Sequence, residues 1–125
     1  MSDEQPIDVV RRFCAAWSRR DLDEIIGFFS DDAVYHNIPL EPITGRDAIR
    51  EALEGFLAML GTMTFDTLHA LADGPIVATE RVDSFTNGDR TIALPVAGFF
   101  EVRDGKITAW RDYFDMGQVS NQMAG

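Results

Sequence analysis

The spacing of apolar positions is mainly helical before Gly61 and close to two after it. Over residues 5–19 they recur at Ile7, Val10, Cys14 and Trp17, with Phe13 filling in, which is the one-face spacing of a helix. Asp21-Leu22-Asp23-Glu24 resembles a capping box, opening a second helix with Leu22, Ile25, Ile26 and Phe29 as its buried stripe. Asp31-Asp32 would set acids at the negative end of that helix, so a turn is expected there. Ala33 to Ile38 alternates as a short strand, stopped by Pro39 and Pro42, with Tyr35 and Asn37 on one face. Thr44-Gly45-Arg46-Asp47 starts a third helix, with Ile49, Leu53, Phe56, Leu57 and Leu60 on its core side and Gly61 ending it.

Beyond Gly61 the period is about two. Strands are expected near 63–72, 75–86, 90–102 and 106–115, punctuated by Asp73-Gly74, Asn87-Gly88 and Asp104-Gly105. Three helices followed by a meander of long strands predict an α+β domain, with the helices packed on one face of a curved, mostly antiparallel sheet. No repeat, low-complexity segment or linker divides the chain, so residues 1–125 are expected to form one domain. The tail after Gly117 is short and polar apart from Val119 and Met123, and reads as a loose lid or a frayed end.

Composition narrows the classes. With 46% hydrophobic residues and nine Phe, two Trp and two Tyr, the chain can fill a real core. A net charge of −10 argues against nucleic acid and anionic membrane surfaces as partners, which call for basic patches. The single cysteine, Cys14, excludes an internal disulfide and falls in an amphipathic helical pattern, hence in the core. His36 and His69 have no ligand spacing with each other or with the acids, so no metal site is expected. No N-terminal apolar run reaches signal-peptide or transmembrane length, and the default expectation is a cytoplasmic protein.

Two strand segments carry charges where apolar residues should be. In Trp110-Arg111-Asp112-Tyr113-Phe114-Asp115, alternation puts Asp112 on the face of Trp110 and Phe114. Burying an unpaired carboxylate is costly, so Asp112 needs partners or a raised pKa. Thr79-Glu80-Arg81-Val82-Asp83 can supply them. Two carboxylates in an apolar site do not both ionise readily, and an arginine between them fixes both by charge-assisted hydrogen bonds. Such a set can protonate a leaving oxygen with one acid while the other carboxylate deprotonates water. Tyr35 and Asn37 would hold that water, and Phe56, Leu60, Phe65, Phe85, Leu94, Val96, Trp110 and Phe114 would line a pocket for a neutral, lipophilic substrate. The competing readings are a structural ion-pair network and charges on a two-sided strand. Glu80, Arg111 and Asp115 alternate onto the opposite face, as solvated or interface charges.

Register decides whether the three charges meet. A two-residue Asn87-Gly88 loop pairs Thr86 with Asp89, Arg81 with Leu94 and Asp83 with Ile92. A two-residue Asp104-Gly105 loop then pairs Asp112 with Ala97 and sends it to the face away from Arg81. A three-residue Arg103-Asp104-Gly105 loop would instead set Asp112 against Val96, on the face of Arg81, and a bulge near Pro95 or Gly98 would restore the parity as well.

The runs Thr79-Glu80-Arg81-Val82-Asp83, Trp110 to Asp115, Tyr35-His36-Asn37-Ile38-Pro39-Leu40 and Gly45-Arg46-Asp47-Ala48 resemble the limonene-1,2-epoxide hydrolase family over about residues 7–117. The resemblance implies a cone-shaped fold like nuclear transport factor 2, also called SnoaL-like, commonly dimeric through the outer sheet face. It implies cofactor-independent, one-step hydrolysis of a small lipophilic epoxide to a vicinal diol. Carried over residue by residue, it makes Asp83 the general acid, Asp112 the base, Arg81 the bridge, and Tyr35 and Asn37 the remaining water ligands. The substrate stays open among terpene, fatty, sterol and biosynthetic epoxides, because several pocket positions carry Phe. Of the rivals with this fold, a steroid isomerase would need a tyrosine where Phe13 stands and an aspartate where Asn37 stands. A polyketide-cyclase-like enzyme uses a similar cone, and a non-catalytic lipophile-binding domain of this shape would need no Asp–Arg–Asp set.

Overall fold

The computed structural model describes residues 4–124. Helix α1 (Pro6–Ala16) has proline in its first turn, where a missing N–H costs nothing, and buries Val9, Val10, Phe13, Cys14 and Ala16. A 3₁₀ turn, Trp17–Arg19, closes it with Arg20 in the left-handed region at φ 55°. Helix α2 (Leu22–Ile26) is capped by the Asp21 carboxylate, which accepts from the Glu24 N–H. It stops earlier than its apolar spacing predicts. Phe29, expected on its stripe, instead opens strand β1 (Phe29–Asn37) and pairs with Ile107. Sheet pairing overrides the helical period here: the Ile107 N–H donates to the Phe28 carbonyl at 2.8 Å, and Asp31 and Asp32 continue the strand instead of turning. A two-residue strand, β2 (Ile43–Thr44), precedes helix α3 (Arg46–Met59). The C-terminal carbonyls of α3 are held by Arg20, which donates to the Leu57 and Leu60 oxygens at 2.5 and 2.9 Å.

Four long strands follow: β3 (Met63–Asp73), β4 (Ile76–Asn87), β5 (Arg90–Arg103) and β6 (Lys106–Tyr113). The six strands form one sheet in the order β2-β1-β6-β5-β4-β3, antiparallel except for the β1–β6 pair. The fold class is therefore α+β as the periodicity predicts. The tail is not frayed: residues Met116–Ala124 form helix α4. Among the described residues, no helix is long and apolar enough to cross a membrane.

The core lies between the inner sheet face and the helices. Phe13 sits at its centre, meeting Trp17, Phe28, Phe29, Phe100 and Trp110 edge-on at centroid distances of 4.9–6.0 Å. Cys14 is in this core, where burial pushes its thiol up to about 11.

The register condition is met by a different bulge from those considered. The β5–β6 loop has two residues, Arg103 pairing with Lys106, which alone would put Asp112 opposite Ala97. The ladder then slips by one between Val102↔Ile107 and Glu101↔Ala109, leaving Thr108 as the extra residue, and Asp112 pairs with Gly98. The β4–β5 loop is Gly88-Asp89, with Asn87 pairing Arg90, so Arg81 faces Val96 and Asp83 faces Leu94. These partners lie two residues from those expected, a shift that keeps every side chain on its face.

Candidate active site

Thr79, Arg81 and Asp83 alternate inward from β4, and Asp112 points inward from β6, all four buried. Gly98 of β5 lies between them, paired with Thr79 on one side and Asp112 on the other. Because Gly98 has no side chain, the Arg81 guanidinium crosses over it. A Cβ there would collide with Arg81 Nη1 and stand 2.6 Å from Asp112 Oδ1 and 3.0 Å from Thr79 Oγ1. Gly98 thus marks a close approach and not a bulge.

Arg81 binds both acids. Its Nε and Nη2 donate to Asp83 Oδ1 and Oδ2 at 2.9 and 2.7 Å, and its Nη1 and Nη2 donate to Asp112 Oδ1 and Oδ2 at 3.2 and 2.9 Å. Nη1 also donates to Thr79 Oγ1 at 3.2 Å, and the Thr79 hydroxyl donates to the Gly98 carbonyl at 3.1 Å. The guanidinium stacks over Phe65, 4.8 Å from the ring centre. The Arg81 side chain is fully buried, whereas those of Asp83 and Asp112 keep 10% and 6% exposure toward the cavity.

The electrostatics follow from burial. Desolvation raises both carboxyls above their ordinary range, against the opposing pull of Arg81. Desolvation also works against the Arg81 charge, but the hydrogen bonds to Asp83 and the fields of the two acids outweigh it and leave the guanidinium firmly protonated. The acids are not equivalent. Asp112 has a further donor, the Trp110 indole N–H at 2.7 Å, which stabilises its carboxylate. Asp83 lacks that donor, and because the two acids repel each other in this apolar site, the pair favours a state that holds one proton.

Asp83 and Asp112 open into a cavity of about 200 Å³. Tyr35 and Asn37 line it from β1, where Asn37 pairs with Asp112 and Tyr35 with Trp110 across the parallel ladder. The Tyr35 hydroxyl donates to Asn37 Oδ1 at 3.1 Å, and burial keeps the phenol protonated by raising its pKa. Of the expected pocket residues, Phe56, Leu60, Phe65, Phe85, Leu94, Val96 and Phe114 line the cavity. Trp110 does not: it lies behind Tyr35, stacked at 4.2 Å, with 1% exposure. Its polar contact with the site is the indole N–H donated to Asp112. Arg81 stands behind its two acids.

Sequence reasoning missed Trp17, Leu40, Met63, Met116 and Val119 in the wall, and Thr79 and Gly98 beneath the acids. Thr79 shares the parity of Arg81, and Met116 and Val119 are three apart in the tail, so both signals were available. Asp115, expected as a surface charge, caps α4 by accepting from the Gly117 N–H at 2.8 Å.

Helices packed on a six-stranded mixed sheet, with a buried Arg–carboxylate set beside an apolar cavity, define a class, and comparison with known proteins gives that class its name. The model of the SnoaL-like domain family, which has the nuclear transport factor 2-like fold, matches residues 10–110, and the chain belongs to that family. Epoxide hydrolase EphG of Mycobacterium tuberculosis is 38% identical over 109 residues, 86% of this chain and 71% of that protein. The solved structure of an LEH-like epoxide hydrolase from M. tuberculosis superposes with a TM-score of 0.86 at 33% identity, covering 96% of this chain and 90% of that one. A proposed polyketide cyclase from Xanthomonas campestris pv. campestris has a TM-score of 0.85 at 22% identity, covering 94% and 95%, and shares the fold alone.

Proposed function

We propose that this chain is a cofactor-independent epoxide hydrolase of the limonene-1,2-epoxide hydrolase type, acting on a small lipophilic epoxide. The observation that carries the reading is one arginine bridging two inequivalent, buried carboxyls at the charged end of an apolar cavity. A domain that merely bound lipophiles would gain nothing from burying three charges.

In this mechanism Asp112 is the base and Asp83 the acid. A water held by Asp112, Tyr35 and Asn37 loses a proton to the Asp112 carboxylate as its oxygen forms a bond to one epoxide carbon. The carbon–oxygen bond on that carbon breaks, and its electron pair is taken up as Asp83 delivers its proton to the leaving oxygen. The product is a vicinal diol, and the two acids have exchanged protonation states. Arg81 holds them at fixed separation through the change, and once product leaves, Asp112 releases its proton to solvent and Asp83 takes one up. The apolar wall keeps other water out and strengthens each of these charge interactions.

The chain is also proposed to act as a single domain and as a homodimer through the outer sheet face. That face exposes Phe99 and Tyr113, packed edge-on at 5.7 Å, beside the small residues Ala93, Pro95 and Ala97. Sedimentation at micromolar concentration should give twice the chain mass.

A panel of terminal, cyclic and aryl epoxides, followed for diol formation, tests the activity. Asp83→Asn and Asp112→Asn should each lower kcat by at least about a thousandfold while leaving the fold intact. Near-normal turnover in either variant removes that residue from its role, and binding without turnover of any epoxide would favour a lipophile-binding domain.

A further inference from the structure

Strand β6 covers β5 only as far as the Ala97↔Tyr113 pair, so among the described residues the stretch of β5 before Ala97 has an edge with no strand beside it. In an antiparallel strand the N–H and C=O of one residue point to the same side, and so do those of its i+2 neighbours. Ala93, Pro95 and Ala97 therefore face the β6 side. Pro95 has no N–H to leave open there. Ala93 does, and both its backbone groups are taken by one side chain: its N–H donates to Gln122 Oε1 at 2.9 Å, and Gln122 Nε2 donates to its carbonyl at 2.9 Å. The carboxamide of Gln122 stands in for a missing strand residue.

Gln122 belongs to α4, one helical turn beyond Val119 and two beyond Met116, the residues through which α4 walls the cavity. Side chains three apart share a helix face, so the clasp and the two cavity residues form one stripe. No residue of α4 is fully buried. Besides the clasp, a contact from Asn87 Nδ2 to Met123 Sδ at 3.6 Å ties down its end.

We propose that Gln122 is a positioning residue for substrate size: by pairing with Ala93 it seats Met116 and Val119 over the cavity and limits the site to compact epoxides, carried on a single ring or short chain. The cavity, of about 200 Å³, lies below the range of roughly 300–1,000 Å³ usual for drug-sized ligands. The inference rests on the epoxide-hydrolase reading, but part of its test is independent of turnover.

Gln122→Met keeps the stem and removes both hydrogen bonds, whereas Gln122→Glu keeps the acceptor for the Ala93 N–H and loses the donor. Amide hydrogen exchange at Ala93 and along α4 should be fastest in Gln122→Met, intermediate in Gln122→Glu and slowest in wild type. The ratio of kcat/KM for a long-chain epoxide to that for a single-ring epoxide should rise about tenfold in Gln122→Met, the equivalent of one to two ordinary hydrogen bonds. The change should appear in KM, with kcat for the single-ring compound within about twofold of wild type. Calorimetric binding of 1-alkanols of increasing length should show tighter binding of the longer members in the variant. Unchanged exchange in α4 would overturn the clasp. Faster exchange with unchanged size preference, in turnover or in alkanol binding, would reduce Gln122 to edge protection and overturn the proposal. Should no epoxide turn over, exchange and alkanol binding still decide it.

Discussion

An alanine at position 98 puts a methyl group into space that the Arg81 guanidinium occupies. Arg81 has nowhere to retreat, because its side chain is fully buried with Phe65 stacked against it and Asp83 gripping it through two hydrogen bonds. The contacts that must give are those over Gly98: two hydrogen bonds to Asp112 and one to Thr79. Charge-assisted hydrogen bonds contribute about 1.5–3 kcal/mol each, so loss of the Asp112 pair costs about 3–6 kcal/mol. Replacing glycine within a strand returns about 0.5–1 kcal/mol through the unfolded chain. The net expectation for Gly98→Ala is about 2–5.5 kcal/mol of destabilisation, read from urea unfolding followed by the fluorescence of Trp17 and Trp110. In the folded fraction Asp112 is displaced, and kcat/KM should fall by about a hundredfold, as for a misplacement on the scale of 1 Å. A variant within about 0.5 kcal/mol of wild type and within threefold of its activity would refute the crossing of Arg81 over Gly98.

Trp110→Phe preserves the stack on Tyr35 but removes the donor to Asp112, so the ascending limb of the pH–kcat/KM profile should move up by about one unit, the worth of one hydrogen bond. The wild-type profile itself should be a bell, since the pair works while it holds one proton: activity rises as Asp112 ionises and falls as Asp83 does, both limbs above the ordinary carboxylate range. Both folded-state values are raised, so their contribution to stability is complete at pH below the unfolded carboxyl value of about 4 and is lost as pH rises through the folded values. Asp83→Asn cannot ionise, and its urea midpoint should therefore gain on that of wild type as pH goes from about 4 to 8. Gly55→Ala, in the middle of α3 with open space around it, should stabilise the chain by about 0.5–1 kcal/mol, measured as a shift in urea midpoint, with activity unchanged.

Much of this site was legible because its residues break a local rule. Charges at inward parity on β4 and β6 stand out against an apolar background, and alternation put Tyr35 and Asn37 on one face, although only the family resemblance tied that face to the acids. Which face Asp112 takes was not legible, since the Thr108 bulge depends on how the β5–β6 ladder fits around Glu101 and Val102. The helical reading of Phe29 failed because periodicity sees only local spacing, whereas pairing with Ile107 joins residues 78 apart in the chain. Helix α4 was missed for a related reason. Its short polar sequence has little to hold it in isolation, and it is seated by Asp115 at one end and by the exposed edge of β5 at the other. Gly98 shows the same limit from another side: a strand glycine signals a bulge or a close approach, and only the position of Arg81 tells which.

Single-turnover hydrolysis in oxygen-18 water, with enzyme in excess over epoxide, separates direct addition of water from attack by a carboxylate. Addition by the Asp112-activated water predicts diol carrying one heavy oxygen from the first turnover, and no label in the carboxyls of Asp83 or Asp112 on mass analysis of their peptides. First-turnover diol without label, together with heavy oxygen retained in either carboxyl, would mean a covalent ester and contradict the one-step mechanism.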